Sequence, residues 1–187
     1  MTLIATSWTG NGSDLTVSDG TVTSTVDNSN YQMNGSQIGK NTFTLRCTPS
    51  PRTDGFHFGY GITSATVPDD TDDIDFGFDI YQLGGTDPKM RVKESGSTVE
   101  TYNWDNSGDY VEIQVTAGTI VYKIYSSAGV ELESTTSSST FDHTSAVYNI
   151  SAMQGYSAVS SSLTSMDDVG ATAAGTRLPP PPIRWHF

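Results

Sequence analysis

IDFGFDIYQL, residues 74–83, alternates strictly: Ile74, Phe76, Phe78 and Ile80 fall on one side, and Asp75, Gly77, Asp79 and Tyr81 on the other. A period of two with β-branched and aromatic residues on one face is the pattern of a strand with one buried face. GFHFGYGIT, residues 55–63, repeats it, with Phe56, Phe58, Tyr60 and Ile62 against His57, Gly59 and Gly61. The second face there is nearly bare of side chains, which permits close approach of a loop or ligand.

The same alternation extends in both directions. Residues 15–26 (LTVSDGTVTSTV) read as two short strands about a Ser18-Asp19-Gly20 turn, and 41–47 place Phe43, Leu45 and Cys47 together. Pro49 and Pro51 then suit a loop or an edge. KMRVKES, from Lys89, turns Met90 and Val92 inward, and a short strand follows at 98–102. Three more occupy 110–115, 119–125 and 130–133, joined at Ala117-Gly118 and Ser127-Ala128-Gly129. Segments 145–153 and 156–163 supply the last two. Repeated hairpins predict an all-β, antiparallel β-sandwich in one domain, residues 1–166.

Composition agrees. The 187 residues suit one core, and charged residues make up only 16%, with polarity carried mainly by Ser, Thr, Asn and Asp, which favour strands, turns and caps over helix interiors. A formal net charge of −12 repels a phosphate backbone, so neither nucleic acid nor an anionic membrane is an expected partner. No run of about 18 apolar residues is present, so no membrane insertion is expected, and MTLIATSW at the start lacks the pattern of a secretory leader. Cys47 is the lone cysteine and reads as a buried small hydrophobe.

After Met166 the composition changes. Residues 167–187 combine a Gly/Ala-rich link, the stiff polyproline run Pro179, Pro180, Pro181 and Pro182, and a tip of Ile183, Arg184, Trp185, His186 and Phe187. Preordered polyproline with aromatic anchors and an arginine is the form of a docking peptide. The extended Pro-rich tail either engages a partner subunit or covers an edge of its own sandwich.

The order of pieces resembles the concanavalin A-like lectin/glucanase sandwiches (jelly rolls), in particular the SPRY-like or laminin G-like modules of phage and large-virus surface proteins. The resemblance rests on Trp8 ahead of residues 15–26, on Phe58-Gly59-Tyr60-Gly61, on Asp73-Ile74-Asp75-Phe76, and on the valine-rich hairpin from Val111 to Leu132, and spans roughly residues 5–163. Ser126-Ser127-Ala128-Gly129 stands where such modules often have Lys-Asn-Gly, and the tail has no counterpart in them. The resemblance implies a non-enzymatic structural protein of a virus particle, a capsid decoration or a tail- or fibre-associated protein located in the virion, whose expected partners are other virion proteins, further copies of itself and host surface glycans. The alternative is a carbohydrate-binding module, free or on a cell surface. Peptide recognition through the strand-connecting loops is a further reading.

A sugar site needs an aromatic ring for the apolar face of the pyranose and planar polar groups for its hydroxyls. Tyr102, Asn103, Trp104, Asp105 and Asn106 offer that mixture, although Trp104 also suits a lid folded onto the core. Asp75, Asp79 and Tyr81 would line a groove if their face were open. The glucanase branch carries Glu-x-Asp-x-x-Glu on the corresponding strand; Asp73-Ile74-Asp75-Phe76-Gly77-Phe78 has no glutamate, so no hydrolase and no catalytic residue is expected. Asp69, Asp70, Asp72 and Asp73 lack the spacing of a calcium loop and read as a solvated turn. His57, His143 and His186 are scattered, and no metal or cofactor is expected.

Overall fold

The computed structural model describes residues 9–10, 15–18, 21–24, 31–49, 56–65, 71–82, 88–104, 109–155 and 162–168. Trp8, Asp69, Asp70, Asp105, Asn106 and the whole tail from Pro179 to Phe187 lie outside the described residues. Among those described, fourteen strands form two seven-stranded antiparallel sheets.

The strands are β1 (Thr9–Gly10), β2 (Leu15–Ser18), β3 (Thr21–Ser24), β4 (Tyr31–Gln37), β5 (Phe43–Pro49), β6 (Phe56–Thr63) and β7 (Phe76–Gln82), then β8 (Lys89–Glu94), β9 (Ser97–Asn103), β10 (Tyr110–Thr116), β11 (Thr119–Tyr125), β12 (Glu131–Thr140), β13 (Asn149–Gly155) and β14 (Ser162–Asp168). The front sheet runs β1-β4-β13-β6-β7-β8-β9 and the back sheet β12-β11-β10-β5-β14-β3-β2. The last two strands insert into the middle of the sheets: β13 lies between β4 and β6, and β14 between β5 and β3.

The inward faces form one core. Tyr60, Phe78, Ile80 and Val92 of the front sheet meet Leu45, Val111, Ile113 and Tyr122 of the back sheet, all buried. Phe78 meets Tyr122 edge-on at 5.6 Å, and Phe141 does the same to Phe43 at 5.4 Å, the arrangement favoured by the ring quadrupole. Cys47 is buried among them, and burial pushes its thiol pKa up. Tyr122 is shifted upward by burial first and by the charge of Glu94 second.

Two hairpins close through two-residue turns with both residues at positive φ: Ser95 and Gly96, and Ala117 and Gly118. Their backbone twist matches that of the flanking strands. A Cβ on Gly118 would stand 2.8 Å from the Phe141 carbonyl oxygen, so glycine is required there twice over.

Several boundaries differ from the sequence pattern. β4 has no clean alternation and is set by its pairing with β13. β12 continues through a Ser/Thr run to Thr140 because an edge strand, nearly all of it exposed, needs no apolar face. β5 reaches Pro49, the end of the ladder with β14. β14 starts at Ser162 and carries Asp167 and Asp168, two residues beyond the expected boundary at 166.

Candidate functional site on the outer face of the front sheet

The register decides which side chains share the outer face. β7 pairs Tyr81 with Lys89 and Asp79 with Arg91, while β8 pairs Lys89 with Asn103 and Arg91 with Thr101. One row therefore reads Tyr81, Lys89, Asn103, and the row beside it Asp79, Arg91, Thr101. On β6 the second row continues at Gly59, which supplies no side chain.

The polar groups in these rows are held by one another. Arg91 donates to the Asp79 carboxylate and lies over the Tyr81 ring, 4.1 Å from its centroid. Asp79 is 0% exposed, whereas the Arg91 side chain keeps 27% of its surface in water. Lys89 Nζ donates to Asn103 Oδ1 at 2.6 Å. Asn103 and Thr101 are exposed, with Tyr81 and Lys89 half-buried, so the accessible rim consists of an aromatic ring, an amide, a hydroxyl and two cations.

The other end of this face is strapped over. A 3-10 turn at Thr71–Asp73 leads to Ile74, and the Thr63 hydroxyl donates to the Asp73 carbonyl at 2.6 Å. The Ser64 N–H donates to Asp75 Oδ2 at 2.5 Å, and Lys93 Nζ pairs with Asp72 Oδ1 at 2.6 Å. Gly61 and Gly77 face each other across β6 and β7, and the Ile74 Cγ2 fills the space over both: a Cβ on Gly61 would lie 3.1 Å from it and a Cβ on Gly77 2.7 Å. Ile74 thus sits on the outer face, not with Phe76, Phe78 and Ile80 as strict alternation predicts. The bend at Asp75 turns the chain back onto the glycine floor, and burial of the Ile74 side chain there stabilises that path.

The residues predicted for binding divide accordingly. Asp79, Tyr81 and Asn103 come together, although Asp79 is the floor beneath Arg91 and not an open groove wall. Asp75 stands apart, capping the strap. Trp104 is only 6% exposed and joins the core as a lid; its backbone N–H donates to the Pro88 carbonyl. Tyr102 packs against the core, and its hydroxyl bonds that of Thr135 on β12. Neither ring is an outward platform. Asp72 is occupied by Lys93, the Asp73 carbonyl accepts from Thr63, and among the described residues no three His, Cys, Asp or Glu side chains are placed to hold a metal ion. Lys89 and Arg91 are absent from the residues that sequence reasoning singles out. Their signal is the placement of Met90 and Val92 inward, which sends both cations out.

No family model matches the sequence, and no curated protein matches it. Solved structures do resemble it. The exoplasmic/lumenal domain of VIP36 in its Ca2+-bound form aligns with a TM-score of 0.59 at 10% identity, covering 89% of this chain and 85% of that one. The CBM2 module of the evolved Dit protein of Lactobacillus casei BL23 phage J-1 aligns at 0.56 with 10% identity over 83% and 80%. A protein of unknown function from Shewanella oneidensis MR-1 aligns at 0.53 with 14% identity over 89% and 80%. At these identities the likeness is one of fold: two antiparallel sheets packed as a concanavalin A-like jelly-roll β-sandwich.

Proposed function

We propose that this chain is a non-catalytic carbohydrate-binding module whose ligand lies across Tyr81, Lys89 and Asn103. The observation that carries this reading is their alignment in one row beside Arg91, which brings a ring, an amide and two donors to one accessible rim. Rings pack on the apolar face of a sugar while planar polar groups read its hydroxyls. The fold supports the reading too, since the VIP36 domain has a Ca2+/Man-bound form and the phage module is a CBM2. The non-catalytic part of this reading is supported by the engagement of two carboxylates on this face: Asp79 is buried under Arg91, and Asp75 holds the strap. Acid–base chemistry on a glycosidic bond needs two carboxyl groups flanking it.

The test is a glycan-array screen of the full chain beside Tyr81→Ala and Asn103→Ala. Retention of a defined glycan, lost in both variants while their melting midpoints stay close to the parent's, is the expected result. Binding that survives both changes would move the site elsewhere, and an array without signal would remove the reading.

A placement of this module on a phage-type particle is the second reading, favoured by the similarity to the phage J-1 module. Pro179–Pro182, Ile183, Arg184, Trp185 and Phe187 would then dock on a neighbouring subunit. Comparing the oligomeric mass of the full chain with that of a chain ending at Asp168, which keeps β14 whole, tests it: assembly lost with the tail supports the placement, and two identical monomers oppose it.

A further inference from the structure

Resting on the carbohydrate-binding reading, we infer that the rim selects saccharides bearing a single carboxylate, a uronate or sialate residue, and that Lys89 is the group that reads this charge. β8 directs Lys89, Arg91 and Lys93 outward at successive outer positions, placing three of the chain's nine Lys and Arg residues on one strand of a molecule with net charge −12. Two of the three are neutralised where they stand. Lys93, its side chain 5% exposed, is paired with Asp72, and Arg91 is paired with Asp79. Lys89 differs: its partner is the neutral amide of Asn103, and among the described residues no carboxylate forms an ion pair with it.

The face is therefore polarised along its strands. Asp75, whose carboxylate accepts from the Ser64 N–H, lies at the strap end, and Lys89 lies with Tyr81 at the opposite end of β7, about 20 Å away for six residues of strand. A ligand carboxylate meeting an ammonium already fixed by an amide gains a charge-assisted hydrogen bond, and Asn103 is left to bond the adjacent hydroxyl. The rest of the molecule restricts this preference to one charge, because its overall negative field opposes a densely charged polyanion.

The experiment measures binding of the full chain to glycans ending in uronate or sialate, beside the same glycans with the carboxyl esterified or reduced, at low and at physiological salt. The expected result is about tenfold tighter binding of the acidic forms at low salt, shrinking as salt rises because the rim is solvent-exposed. Lys89→Gln should bring the ratio of acidic to neutral affinity close to one, whatever its effect on overall affinity, and Lys89→Arg should keep that ratio. Equal binding of acidic and neutral forms, or a preference that persists in Lys89→Gln, would overturn the inference and leave the carbohydrate-binding reading standing. Tighter binding of a heparin fragment than of any singly charged glycan would overturn it as well. Absence of binding to every glycan would bring down both.

Discussion

The two outer faces of the sandwich carry the same three-residue unit and use it differently. On the front sheet Asp79 and Tyr81 lie two apart on β7, and Arg91 of β8, directly opposite Asp79, reaches over the ring. On the back sheet Tyr110 and Glu112 lie two apart on β10, and Arg46 of β5, directly opposite Glu112, reaches over Tyr110 at 4.3 Å. The surroundings differ. Arg46 donates twice to Glu112 Oε1, at 2.8 and 2.6 Å, Gln114 donates to Oε2, and Tyr125 stacks on Tyr110 with ring centroids 4.9 Å apart. The front unit instead adjoins Gly59, Gly61 and Gly77, with a strap laid over the last two. A saturated unit braces the back sheet, while one bordered by glycine leaves an exposed rim of donors. What distinguishes the candidate site from a brace here is the neighbours.

The strongest way to break this contrast is to fill the glycine floor. Gly61→Val would place a Cβ 2.7 Å from the Gly77 Cα and against the Phe76 carbonyl, with Ile74 above. The expected loss is about 4 kcal/mol in a denaturant titration, since backbone must move. A loss below about 1 kcal/mol would show that the strap is loosely seated.

Next come the two arginines. Arg91→Ala removes the guanidinium paired with the fully buried Asp79 and should cost about 3 kcal/mol. Arg46→Ala leaves Glu112 its bond from Gln114 and should cost about half as much, near 1.5 kcal/mol. Equal losses in chemical denaturation would mean the two units are energetically alike.

A smaller effect separates the rings. Tyr81→Ala should weaken glycan binding about tenfold, roughly 1.4 kcal/mol, whereas Tyr110→Ala should leave it unchanged in calorimetric titration. The reverse order would transfer the site to the back sheet.

The smallest effect concerns the core shared by both faces. Because burial raises the Cys47 thiol pKa in the folded chain, the unfolded chain loses its proton first as pH rises. This contribution is intact below about pH 8.5, the unfolded thiol's pKa, and is lost progressively above it. Cys47→Ala should flatten that part of the stability–pH curve, and a thiol reagent should label Cys47 only on unfolding. Labelling of the native chain would show that the sandwich opens locally.

Much of this is legible in the sequence because strands with one buried face write their period into it. Phe76, Phe78 and Ile80, Tyr60 and Ile62, and Val111, Ile113 and Val115 all pack inward as their alternation predicts. The full length of β12 and the whole of β4 escape such a reading, because an edge strand without an apolar face, and a strand positioned by its partner, leave no such period. The site is half legible. Asp79, Tyr81 and Asn103 stand out in the sequence, but as members of two separate patches, because nothing local records that β8 joins β7 to β9.

The sequence alone determined the all-β class, most of the inward faces and the turns at Ala117-Gly118 and Ser127-Ala128-Gly129, all of which follow from side-chain period and backbone preference over a few residues. Tertiary structure decided that Trp104 is a lid and Asp79 a floor, that Ile74 folds back over Gly61 and Gly77, and that β13 and β14 complete sheets begun more than a hundred residues earlier. Those outcomes depend on which strands lie side by side, and strand pairing is settled by contacts between distant parts of the chain, where local period carries no information.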